Sequence, residues 1–290
     1  MKTREVLPYC GQTRLGERPL AIRISLLLCA ACLLVQSVQA DLLFHEGFDY
    51  SAGVGLAGQG NWVQTTNSAY ITVGSGNLTY PDLPDSVPPG NRARIAGMSA
   101  AVQGFAYSPF SESVNNGVVY ASFLLDFNGT VAGGNYTFMG LLPYADNAPG
   151  NGGVFNNTYD PCDLVSKGSS GNVQLGIRTL GQGTSYANPT LSLGSVNLIV
   201  MKYDFDLHRA SLFINPSPVE AEPAASIAST GTTSAESIGQ FYLRIGGYNQ
   251  ADYLVDNVRV GTQWADVVPE PGSVSLLALG MLGLFRRARR

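Results

Sequence analysis

The chain has 290 residues, of which only 13% are charged, about half the usual share. Glycine supplies 34 of them, about 12% against a typical 7%. This composition excludes a coiled coil, a disordered acidic tail and a nucleic-acid binder with a basic face, and the length fits two average domains or one large all-β sandwich.

Residues 1–23 carry Lys2, Arg4, Arg14, Arg18 and Arg23 against Glu5 and Glu17, a net +3. An apolar run from Ile24 to Val35 follows, and Val38-Gln39-Ala40 puts small side chains at the −3 and −1 positions. A cationic head, a greasy stretch and small residues before the cut predict a signal peptide over 1–40, with a short helix in its apolar part. Signal peptidase would cut between Ala40 and Asp41. As a membrane span the twelve-residue run reaches only about 18 Å, short of the ~30 Å hydrocarbon core.

Removing the signal changes the charge. Residues 41–268 hold 18 acids and 8 bases, a net −10. An acidic exported domain has no electrostatic reason to seek nucleic acid or anionic lipid. Cys10, Cys29 and Cys32 leave with the signal, so Cys162 is the one thiol of the mature chain and no internal disulfide forms. Stability has to come from the core, and residues 41–266 are long enough to build one.

Along that segment, strands follow one another between Gly, Asn, Ser and Pro clusters at sandwich spacing. Val119, Ala121, Phe123, Leu125 and Phe127 alternate with Tyr120, Ser122 and Asp126, a period of two with one buried face. Val173, Leu175 and Ile177 repeat the pattern. Val196 to Phe205 is apolar on both faces until Lys202, as a central strand would be. Ala210, Leu212 and Ile214 follow across the turn Leu207-His208, predicting a β-hairpin. Phe241, Leu243 and Ile245 form a further alternating set, and Tyr253 to Val260 a last strand. Two stretches read as loops: Ala145 to Gly171, with Pro149 and Pro161, and the Pro/Ala/Ser/Thr-rich Asn215 to Gly239. The fold class expected is all-β, an antiparallel two-sheet jelly-roll sandwich over 41–266.

After Asp266 the composition changes. Pro269-Glu270-Pro271 leads into an almost uncharged run, Ser273 to Phe285, closed by Arg286, Arg287, Arg289 and Arg290. The prolines bar helix before Gly272. The thirteen apolar residues span about 20 Å as a helix, a short membrane helix whose arginines stay on the cytoplasmic side. Residues 267–290 are therefore read as a tail distinct from the sandwich.

This tail resembles the PEP-CTERM sorting signal of envelope-bearing bacteria that make extracellular polysaccharide, matching it in the Pro-Glu-Pro motif, the apolar segment and the arginine cluster. The resemblance implies recognition of Pro269, Glu270, Pro271 and the four arginines by a membrane protease of the exosortase type. Transient anchoring in the inner membrane would precede release to the cell surface or extracellular matrix. The domain upstream resembles the concanavalin A-like (laminin-G-like) sandwiches of lectins and glucanases. The segments that carry this likeness include Leu43 to Tyr50, Val119 to Leu124, Val200 to Asp204 and Val255 to Trp264.

A sandwich of that kind can hydrolyse glycosides, which takes two carboxyls about 5–5.5 Å apart for a retaining mechanism. The chain has no Glu-x-Asp-x-x-Glu string. Glu46 and Asp49 stand at the edge of the first strand, and Asp204-x-Asp206 has no Glu partner. Asp204 and Asp206 read as a solvated strand end or, with loop carbonyls and Asp126, Asn128 or Asp256, as a calcium site. Two histidines, His45 and His208, and no Gly-x-Ser-x-Gly elbow leave nucleophilic catalysis without parts. Cys162, beside Asp160 and Asp163, reads as an inert loop thiol. Exposed aromatics such as Trp62, Tyr136 and Tyr186 are candidates for stacking on sugar rings. The function expected is a non-enzymatic surface or matrix protein without a cofactor; a carbohydrate-binding module is the alternative and a glycoside hydrolase the third reading. The partners expected are signal peptidase, the exosortase-type protease and an extracellular polysaccharide, with no nucleic acid.

Overall fold

The structure, a computed structural model, describes residues 42–66, 70–81, 83, 90–96, 103–129, 134–143, 160–169, 171–188, 190–218, 221–246 and 252–268. The signal peptide with Ala40 and Asp41, and the tail from Pro269 to Arg290, lie outside these residues. Among the described residues no helix is long and apolar enough to cross a membrane.

Two eight-stranded antiparallel sheets make up the fold. Sheet A runs in the order β14 (Ile227–Thr230), β13 (Arg209–Ile214), β12 (Asn197–Asp204), β6 (Val118–Asn128), β16 (Asp252–Gly261), β4 (Arg92–Ile95) and β3 (Ile71–Gly74), with β1 (Leu42–Glu46) also paired to β16. Sheet B runs β10 (Ser185–Tyr186), β9 (Asn172–Arg178), β8 (Cys162–Ser169), β7 (Asn135–Leu142), β15 (Ile238–Gly246), β5 (Gln103–Val114) and β2 (Val63–Thr66), with β11 (Leu191–Ser192) also on β9. The pairings at the centre of each sheet, β12–β6–β16–β4 and β7–β15–β5, join strands distant in sequence, as in a jelly-roll sandwich.

The period-two alternation decides which side chains meet between the sheets. Phe123, Leu125 and Phe127 of β6 face Phe241, Leu243 and Ile245 of β15, and all six are buried in one cluster. Phe127, Phe138 and Tyr253 pack ring against ring, with centroids 5.0–6.1 Å apart. The Tyr253 hydroxyl donates to the carbonyls of Phe138 and Arg244, stitching sheet A to sheet B at 2.7 and 2.8 Å. The β12–β13 hairpin has the expected register, Asp204 opposite Arg209.

Two segments expected to be loops contain strands. Cys162 to Ser169 is β8, paired with β7 and β9, and Ile227 to Thr230 is the edge strand β14. In β8 the glycines and prolines that suggested a loop flank a short alternating core, Cys162, Leu164 and Ser166, which is long enough to pair. Trp62, expected among exposed aromatics, is buried, with Phe48 stacked on it at 5.9 Å.

A single helical turn, α1 (Trp264–Val267), ends the described chain. Asp266 Oδ2 accepts the amides of Thr262 and Gln263, and Val268 N closes the turn on the Trp264 carbonyl. Gly261 makes this possible: a Cβ there would run into the Asp266 side chain.

Candidate functional site

Charge and hydrogen-bonding capacity concentrate in three places. The first is the outer side of sheet B, the side away from sheet A. On β15 the core takes Phe241 and Leu243, so Tyr242 points outward and packs with Phe105 and Leu142. The pairing puts Tyr107, Tyr242, Gly140, Asp163 and Arg178 in one cross-strand row over β5, β15, β7, β8 and β9. Gly140 is the gap in that row: a Cβ there would meet the Tyr242 ring at 2.8 Å and press on the Cys162 carbonyl. Without it, the Tyr242 hydroxyl crosses β7 and donates to Asp163 Oδ1 at 2.5 Å. Arg178 donates to Asp163 Oδ2 from both Nε and Nη2, and Nη2 also reaches Thr137 Oγ1 at 2.9 Å.

Asp163 is fully buried, and Asp160 nearly so beside it. Burial, and then the neighbouring Asp163 carboxylate, push Asp160 up to about 8, so this pair holds a proton at neutral pH. Burial also raises the Cys162 thiol, with Asp163 adding to the effect. Cys162 is thus a core residue of β8, and its sequence context gave the right chemistry for the wrong element.

The second place is the corner around Glu46. Its carboxylate accepts the Phe48 amide at 2.6 Å, the Tyr50 hydroxyl at 2.8 Å and the Trp62 indole N–H at 2.8 Å. Phe48 holds φ at 54°, an uncommon left-handed value for a bulky residue, and the Glu46 acceptor helps fix it there. With three donors on one carboxylate, Glu46 ties the end of β1 to the following loop.

The third is an open basin of about 580 Å³ on the outer side of sheet A, lined among others by Thr72, Gly74, Arg92, Arg94, Asn128 and Asp252. Arg94 Nη2 donates to Asp252 Oδ2 at 2.9 Å. Arg92 Nε and Asp126 Oδ1 are buried there without a hydrogen-bond partner.

The structure does not assemble the calcium set considered from sequence. Asp204 Oδ1 accepts the Leu207 amide at 2.9 Å, capping the β12–β13 turn, and Asp206 is exposed within it. Asp204 pairs with Val118 at one end of β6, whereas Asp126 lies eight residues along that strand, about 26 Å away at 3.3 Å per residue. Asn128 is farther still, and Asp256, opposite Leu124, is six residues along. Among the described residues no three His, Cys, Asp or Glu side chains are grouped to hold a metal ion.

Two antiparallel sheets closed over one apolar layer define the class: an all-β jelly-roll sandwich. Solved structures with similar backbones include the globular domain of T. cruzi calreticulin, with 12% identity, 78% of this chain and 90% of that one covered, and a TM-score of 0.48. Peanut lectin gives 12% identity, coverages of 75% and 96%, and 0.45. A glycosyl hydrolase family 16 protein from Mycobacterium smegmatis gives 14%, 76% and 99%, and 0.43. No curated protein matches the chain. The tail is more specific: residues 267–290 match the PEP-CTERM protein-sorting motif. The chain therefore carries a sorting signal that implies export, processing by an exosortase and membrane-associated sorting to the cell surface.

The match starts where the sandwich is still packed. Val267 and Val268 are buried with Tyr120, Val200 and Phe213 on the outer side of sheet A, and Ser122 Oγ donates to the Val267 carbonyl at 2.6 Å. Trp264 meets Phe213 and Tyr120 edge-on at 5.1 and 6.0 Å. Pro269 follows directly.

Proposed function

We propose that the protein is an exported, non-enzymatic β-sandwich of the cell surface or extracellular matrix, freed from a signal peptide at Ala40–Asp41 and delivered through the tail beginning at Pro269. The observation that carries this reading is the sorting motif over residues 267–290, joined without a linker to the packed end of the sandwich. The tail helix from Ser273 to Phe285 holds the chain in the inner membrane, with Arg286, Arg287, Arg289 and Arg290 on the cytoplasmic side. Pro269, Glu270 and Pro271 are then presented to the exosortase-type protease.

The absence of turnover is supported by what the carboxylates already do. Glu46 is saturated by three donors, Asp204 caps a turn, and Asp163 is locked to Arg178 and Tyr242. These three carboxylates are committed to structural hydrogen bonds. The polar basin on sheet A favours a second reading, in which the delivered sandwich binds carbohydrate.

Fractionating the host and measuring the intact mass of the envelope and released forms tests the proposal. The surface form should begin at Asp41 and lack Arg290. Pro269→Ala with Pro271→Ala, or Glu270→Ala, should leave export intact and block tail removal. A surface form that keeps Arg290 would overturn the sorting route in favour of a plain anchor.

A further inference from the structure

We infer that the basin on the outer side of β3, β4, β16 and β6 is a binding site for an acidic polysaccharide, with Arg92 and Arg94 receiving the carboxylate of a uronic acid unit. The inference rests on the carbohydrate-binding reading and gives it a place and a charge.

The basin is a built feature of the sheet. Arg92 and Arg94 stand at i and i+2 on β4, so both side chains leave the same face, while Ala93 and Ile95 go to the core. Gly74 pairs with Arg92 across β3–β4 and leaves the space the Arg92 side chain crosses. A Cβ on Gly74 would sit 3.7 Å from Arg92 Nε and 3.4 Å from the Arg94 Cβ. The floor is therefore open because that residue has no side chain.

Two of the eight bases of an acidic domain converge here, and their charge is incompletely used. Arg92 Nε is buried with no acceptor, although two buried carboxyls, Asp126 and Asp256, are close enough to feel its charge. Asp256 already accepts the Leu78 and Asn257 amides at 2.8 and 2.7 Å, and burial pushes it up to about 7. Burial raises Asp126 as well. Burial thus works against the charged form of both carboxyls beside Arg92, while the Arg92 charge works for it. Arg92 Nε itself lies beneath the surface, so a ligand in the basin would meet the lining faces of the Arg92 and Arg94 side chains, and a planar carboxylate is the acceptor that a guanidinium binds in pairs.

The surrounding groups choose among anions. Asp252 pairs with Arg94, and with Asp126 and Asp256 it keeps the net positive charge of the site small. That suits a singly charged carboxylate and disfavours a phosphate dianion. Thr72 and Asn128 add hydroxyl and amide groups at the rim, which can donate and accept as a ring bearing several hydroxyls requires. The basin's size is within the usual range for small-ligand sites.

The test uses the purified full-length chain in detergent and two probes, tetragalacturonate and its fully methyl-esterified form, by calorimetry. The two have the same rings and differ in charge. Tetragalacturonate should bind at least tenfold more tightly than the ester, and its affinity should fall as salt rises. Arg92→Gln should weaken it by tenfold or more, and Arg94→Gln by less because Arg94 is already paired. Gly74→Val, which fills the floor without changing charge and replaces a glycine with no positive φ, should abolish binding. Equal affinity for acid and ester overturns the uronate assignment. Binding that survives both Arg92→Gln and Gly74→Val overturns the site and leaves the carbohydrate reading standing elsewhere on the molecule. No binding of either probe overturns the uronate site.

Discussion

Two buried carboxylates, Glu46 beside β1 and Asp163 on the outer side of sheet B, meet the same demand with different chemistry. Glu46 is surrounded by neutral donors, an amide, a phenol and an indole. Asp163 has a guanidinium, a phenol and a second carboxyl next to it. The first arrangement satisfies one charge locally and pins a loop. The second brings several charges into one buried row, so that removing any member leaves another uncompensated and the group as a whole must hold a proton. The second region should feel pH in the neutral range.

The largest expected effect comes from breaking that row. Asp163→Leu leaves Arg178 buried without its partner and should cost about 3–5 kcal/mol in urea unfolding. Adding Arg178→Met should recover most of the loss, since a matched apolar pair removes both charges; no recovery would mean that the row is not a charge network. Glu46→Gln comes next. It swaps a charged acceptor for a side chain with one acceptor oxygen and two N–H groups facing three donors, a loss of about 2–3 kcal/mol.

The dependence of stability on pH is the third prediction. Asp160 is raised from 3.8 to about 8, and Asp163 and Asp256 are raised too. Between those limits the native state keeps protons that the unfolded chain has released, so stability falls as pH rises from about 4 through 8. Thermal unfolding should show stability falling steadily between pH 5 and pH 8.5, and Asp160→Asn should lessen the fall. A rise in stability over that window would break the contrast drawn here. The smallest effect is expected at Asp204→Ala, which removes one turn cap and should cost about 1 kcal/mol, with a melting temperature indifferent to calcium.

Much of the sandwich is legible in the sequence because burial on one face writes itself as alternation. β6, β9, β13 and β15 appear that way, while β12 reads as a run apolar on both faces. β8 appears in neither form, because Asp163 occupies an outward position and breaks no pattern, while its flanks carry loop residues. Whether an outward Asp is solvated or buried depends on Tyr242, Gly140 and Arg178, which stand 79, 23 and 15 residues away from it. No local window contains that information. The same holds for Glu46, whose partner Trp62 read as an exposed aromatic, and for the calcium set, whose members are separated along β6 by a register visible only once strands are paired. Arg92–Ile95 does not read as a strand from the sequence, and nothing local places Gly74 beside it. The tail's sorting motif could be read, since its three parts are contiguous.

The seating of Val267 and Val268 has a practical side for anyone who shortens or extends the chain. A truncation placed at the composition change, after Asp266, would uncover Tyr120, Val200 and Phe213 and strip the Ser122 hydroxyl of its acceptor. Such a product would carry a fresh oily patch on the outer side of sheet A and would tend to self-associate. An affinity tag or reporter fused after Val268 leaves that seam closed. The last two valines before the prolines therefore work as a hem, which finishes the edge of the fabric and marks where it can safely be cut.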